Sequence, residues 1–91
     1  MQLSDALTGY WLDKRITFSP HTVTDYSLTF RRLEKFLGPD VCMEAITTDD
    51  LRRFLADVKK RFKLGDKTTV NVWIALSSLW TWAEKELGIA Q

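Results

Sequence analysis

The sequence predicts an all-α fold in which three helices pack around a buried C-terminal fourth. Three observations carry this. Between Val70 and Ala83 only Asn71, Ser77, Ser78 and Thr81 are polar, so the stretch from Thr68 to Leu87 is apolar almost all round. Three upstream segments repeat apolar residues by three and four, the spacing of a helix face, and none alternates as a strand does. Glycine and proline read as the joints between these segments.

Taken in order, Leu3, Leu7, Tyr10, Trp11 and Lys14 make residues 3–16 the first helix, with Ser4 as N-cap and an end near Thr17. Ser19-Pro20 opens the second: serine offers an acceptor to an orphan amide, and proline at the first helical position forfeits no hydrogen bond. Val23, Tyr26, Phe30, Leu33 and Leu37 follow on one face, and Gly38-Pro39 stops the helix, giving 20–37. His21, Thr24, Leu28, Arg31, Arg32 and Lys35 take the opposite face. In the connection 38–46, Val41, Met43 and Ile46 are expected to turn inward. Thr47 with Asp50 reads as a capping box with aspartate in place of glutamate. The third helix then buries Leu51, Phe54, Leu55, Val58 and Phe62 and ends around Lys63-Leu64-Gly65. Asp66 to Thr69 supplies caps for the fourth helix, which Gly88 terminates. Its stripe is Val72, Leu76, Leu79, Ala83 and Leu87, widened by Trp73 and Trp80 on one side and Ala75 and Trp82 on the other.

A chain of 91 residues is one small domain, long enough to bury roughly 60–65% of its unfolded surface. At 45% hydrophobic and 27% charged it is an ordinary globular composition, not a disordered one. The net charge of +1 creates no global pull toward nucleic acid or membrane. Cation is nevertheless concentrated: residues 31–63 carry nine Lys/Arg against six Asp/Glu, densest at Lys59, Lys60, Arg61 and Lys63. A single cysteine, Cys42, excludes an internal disulfide, fits a reducing compartment and reads as a small, partly buried side chain. No signal peptide or membrane span is apparent, so a cytoplasmic protein without membrane partners is expected.

No catalytic constellation emerges. His21 is the sole histidine, no serine or cysteine has a base to pair with it, metal-ligand spacings are missing, and there is no phosphate-cradling glycine loop, so neither cofactor nor metal is expected. The 59–63 cluster is either the solvated end of the third helix, where cations also suit the dipole, or a phosphate-contacting surface. The stripe His21, Thr24, Arg31 and Lys35 carries the same two readings, and its hydroxyl, imidazole and cations on one capped helix favour nucleic acid. The tryptophans read as core and not as stacking platforms for bases.

In order and spacing, TFSPHTVTDYSLTFRRLEKFLG, ITTDDLRRFLADV and TTVNVWIALSSLWTWAEKELG resemble the N-terminal core-binding domain of tyrosine recombinases, the phage integrases. The matching residues are Ser19, Thr22, Tyr26, Phe30 and Leu33, then Ile46-Thr47, Leu51, Phe54 and Leu55. Thr69, Asn71, Leu76-Ser77-Ser78-Leu79 and Trp82 complete the pattern, which covers about 3–88.

The resemblance implies a SAM-like orthogonal four-helix bundle that packs on one side of double-stranded DNA while a C-terminal catalytic domain of the same parent protein grips the other. It implies further recombinase protomers on the same DNA, and weight on His21, Thr22, Thr24, Arg31, Lys67, Thr68 and Asn71, since helices two and four usually face DNA. Catalytic arginines, histidine and nucleophilic tyrosine belong to that other domain, and Tyr10 and Tyr26 match none of them. The chain would then be a fragment, residues 1–91 forming the core-binding domain and residues 88–91 leading into a linker. Val72 and Trp80 are apolar where the family commonly carries arginine or another polar residue, so they are expected to face a partner or the missing domain. The competing expectation is a helical protein–protein interaction module docking through exposed Leu28, Val70 and Ile74.

Overall fold

The structure, a computed structural model, describes residues 1–88. Four helices, α1 (Leu3–Lys14), α2 (Pro20–Leu37), α3 (Thr48–Arg61) and α4 (Asp66–Leu87), make up the fold, with a 3₁₀ turn at Met43–Ala45 and no strand among the described residues. The Leu87 side chain and residues 89–91, expected to extend the core stripe and the linker, lie outside the described residues.

Helix α2 has the expected bounds because its signals are local. Ser19 Oγ accepts from the Thr22 amide at 3.2 Å, Pro20 takes the first helical position, and Gly38, at φ 94°, adopts a conformation open mainly to glycine. The α3 capping box is complete: Thr47 Oγ1 accepts from the Asp50 amide at 3.1 Å, and Asp50 Oδ2 accepts from the Thr47 amide at 3.0 Å. Helix α3 ends at Arg61, two residues before the expected stop. Lys63 follows at φ 52°, and the Leu64 amide reaches back to the Lys59 carbonyl at 3.1 Å. That is a Schellman closure with lysine where glycine is usual.

Helix α1 departs from expectation. Gln2, not Ser4, is its N-cap, and no side chain caps it. The Leu3 and Ser4 amides donate instead to the carbonyls of Val41 and Pro39, at 2.8 and 3.1 Å, so the α2–α3 connection satisfies two orphan donors of the first turn without a capping side chain. Helix α4 likewise starts after Gly65 with no side-chain cap, although Gly88 ends it at φ 68° as expected. Cys42 within this connection pairs by backbone with Gln2 and is exposed, not partly buried as expected.

Glycine is not confined to joints either. Gly9 lies inside α1, where a Cβ would meet Trp82 Cη2 at 2.9 Å. The close approach of α1 to α4 requires the missing methyl.

At about 1.5 Å per residue the 22 residues of α4 span about 33 Å, matching the longest 33 Å dimension of the molecule. All three other helices pack on it. Its buried face is Val72, Ala75, Leu76, Leu79, Trp80, Trp82 and Ala83. Val72 and Trp80 therefore pack into the domain's own core, as the apolar stripe predicts, which corrects the expectation that they face a partner or the missing domain. Helix α4 is not buried all round: Val70, Trp73 and Ile74 are 55%, 38% and 48% exposed, because three neighbours cover only one side of it. Phe62, expected in the core, is also exposed, with the Arg32 guanidinium 3.7 Å above its ring.

Tyr10, fully buried, ties α1 to α4 and α2. Its hydroxyl lies 2.7 Å from Ser78 Oγ, and its ring meets Trp11, Phe30 and Trp82 edge-on at 5.2–5.8 Å. Burial pushes its phenol above the ordinary range. Trp82 Nε1 donates to Asp13 at 2.8 Å, fixing the ring that Gly9 faces.

Candidate nucleic-acid interface

Three surface grooves flank α2, and they sort the candidate residues. The first lies between the N-terminal halves of α2 and α4. His21, Thr22, Leu28 and Arg32 line it from α2, and Thr68, Asn71 and Ile74 from α4. The second lies between the C-terminal halves of α2 and α3, with Arg32, Lys35, Phe36, Arg61 and Phe62 on its walls. The third lies between α1 and α2 and holds Thr8, Ser27, Arg31 and Glu34.

His21, Thr22, Thr68 and Asn71 thus converge although nearly fifty residues separate the two pairs in sequence. Arg31 stands apart on the α1 side of α2, beside an acidic neighbour. Arg32 takes the place expected of it, one residue on and 100° around the helix, and joins the first groove to the second. The outer-face reading of α2 named Arg32 but did not single it out; which of two adjacent arginines enters a groove depends on where α1 and α4 dock. Thr24 is exposed, with Oγ1 donating back to the Pro20 carbonyl at 3.0 Å, and lines none of these grooves.

The basic cluster divides as well. Lys59 Nζ lies 3.2 Å from Asp66 Oδ1, and Arg61 Nη2 lies 3.4 Å from Asp57 Oδ1. Lys60 and Lys63 are exposed and form no ion pair among the described residues. The Lys59–Asp66 pair ties the end of α3 to the start of α4, the turn in which Lys67 and Thr68 also lie. Such exposed pairs are worth at most about 1 kcal/mol each and would yield readily to a phosphate. His21 Nε2 lies 3.2 Å from Asp25 Oδ2, one turn along α2.

Helix geometry adds Ser77, Thr81 and Lys85 to the α4 residues that the sequence reading had already singled out. Lys67, Val70, Asn71, Ile74, Ser77, Thr81 and Lys85 share the outward face of α4, whereas Ser78 is half-buried against Tyr10. The N-terminal half of this face opens on the first groove; its C-terminal half borders a fourth, lined by Asp13, Thr81, Lys85 and Glu86. Asp13 and Glu86 face Lys85 there; the N-terminal half sets Arg32, with Lys67 on the adjoining turn of α4, against the single carboxylate of Asp25, which His21 engages.

Residues 8–87 match the family model of the phage integrase N-terminal SAM-like domain. The chain belongs to this family. Comparisons with curated proteins and with solved structures find no match. The integrase domain is all-α, as the resemblance implied, and no helix among the described residues is long and apolar enough to cross a membrane.

Proposed function

We infer that this integrase-family domain binds duplex DNA through the α2–α4 groove and its cationic corner, and holds it for strand cleavage and rejoining by a separate catalytic domain. One observation supports the reading above the rest: His21, Thr22 and Arg32 of α2 meet Thr68 and Asn71 of α4 in one open groove. Imidazole, hydroxyls, an amide and a guanidinium are the groups that donate to phosphate oxygens and base edges. Lys59, Lys60, Lys63 and Lys67 flank the turn between α3 and α4 in the chain and would supply neutralising charge. Arg31 and Thr24 have no part in this surface, and Lys35 and Arg61 reach it only by way of Arg32. The domain itself performs no chemistry; its partners are DNA, the catalytic domain of its parent protein and further protomers on the same DNA, in the cytoplasm.

A salt titration of a fluorescent duplex tests this. Half a clamp binds weakly, with Kd about 10⁻⁴–10⁻⁶ M at physiological salt and little sequence preference. If three or four cations meet phosphates, log K falls against log[salt] with a slope of about −3 to −4, and Arg32→Gln flattens it by about 0.9. The exposure of Leu28, Val70 and Ile74 favours the second reading, docking to another protein. Failure to bind any duplex at about 20 mM salt, where screening is weak, would leave that reading standing and overturn the first.

A further inference from the structure

We propose that the middle of the α4 face reads A·T base pairs, with Asn71 on the adenine edge and Ile74, flanked by Val70, against the thymine methyl. The proposal rests on the duplex-binding reading above and adds the identity of the base pair.

Lys67, Val70, Asn71 and Ile74 fall within an arc of about 100° on α4, so they would meet a major groove together. Lys67 at the rim suits a phosphate, which leaves Val70, Asn71 and Ile74 for the bases. Asn71 is exposed, and its amide has no hydrogen-bond partner among the described residues. An amide offers a donor and an acceptor side by side, complementary to adenine N7 and N6–H₂ and mismatched to guanine, whose N7 and O6 both accept. An A·T pair also places the thymine methyl in the major groove, where a G·C pair has none. Val70 and Ile74 are about half exposed beside Asn71, and Leu28 is 42% exposed on the opposite wall. Along the α4 face the apolar side chains of Val70 and Ile74 flank the Asn71 amide, a fitting cover for a methyl, while the polar groups of His21, Thr22 and Arg32 lie across the groove on α2. The residue best suited to guanine would be a bidentate arginine, and α4 carries none; Arg32, on α2 across the groove and over the Phe62 ring, is left to the phosphates.

The test uses three duplexes of equal length and mixed order, measured by fluorescence anisotropy at low salt with the folded domain. One carries a block of A·T pairs, one has each thymine of that block replaced by deoxyuridine, and one has the block replaced by G·C pairs. Deoxyuridine keeps every pairing and groove hydrogen bond but lacks the methyl. The A·T duplex should bind about fivefold or more tighter than the G·C duplex, and about fourfold tighter than the deoxyuridine duplex for each methyl covered. Asn71→Ala should erase the first difference and Ile74→Ala the second, with circular dichroism confirming both variants folded. Three equal affinities would overturn base reading while leaving duplex binding intact. A thymine preference that survives Ile74→Ala would overturn the assignment of Ile74, and no binding to any duplex would remove the underlying reading with it.

Discussion

At the scale of single residues, Gly9 and Trp82 show that a side chain's absence can position an interface. Alanine normally stabilises a helix interior over glycine by about 0.8–1 kcal/mol. Here the added methyl would lie 2.9 Å from Trp82 Cη2, and that ring is buried and tied to Asp13. Overpacking of this kind costs about 1–3 kcal/mol, so the steric term wins. Gly9→Ala should destabilise the domain by about 0.5–2 kcal/mol, read as a lower urea midpoint at unchanged slope. A variant more stable than the parent would mean that α1 and α4 are not held this closely. Arg31 and Arg32 make a related point: they are neighbours in sequence, yet α2 sends one toward α1 and the other toward α3 and α4. No periodicity distinguishes them.

At the scale of elements, legibility followed how local each determinant is. The bounds of α2 and the cap of α3 were readable because Ser19-Pro20, Gly38-Pro39 and Thr47 with Asp50 act within a few residues. Leu33, Phe54 and Leu79 were readable as core from spacing alone. The start of α1 was not, since Pro39 and Val41, more than thirty residues away, accept its first amides. The exposure of Trp73 was equally hidden, although Val70 and Ile74 are exposed as the docking reading expected: an apolar helix does not announce how far round its neighbours will cover it. The two helix starts can be compared directly. Thr47→Ala should lower stability by about 0.5–2 kcal/mol. Ser4→Ala should change it by less than about 0.5 kcal/mol, because distant carbonyls already serve that turn. Equal losses in chemical denaturation would restore Ser4 as the cap and contradict the tie between the chain's start and the α2–α3 connection.

At the scale of the whole molecule, a core built around α4 leaves one long helix face open while its other side binds the bundle together. That division lets the same helix stabilise the domain and present Lys67, Asn71 and Ile74. Of the candidate site, sequence located the two helices and four of the groove residues; the packing of α1, α3 and α4 around α2 decided the rest. The central claim is that duplex DNA seats in the groove between α2 and α4. The most direct measurement is a titration of ¹⁵N-labelled domain with a short duplex at low salt, followed residue by residue in heteronuclear NMR spectra. The signals of His21, Thr22, Arg32, Lys67, Thr68, Asn71 and Ile74 should shift together, while those of Ser4, Thr8 and Arg31 hold still. Shifts centred on the α1–α2 groove, or none at all, would contradict it.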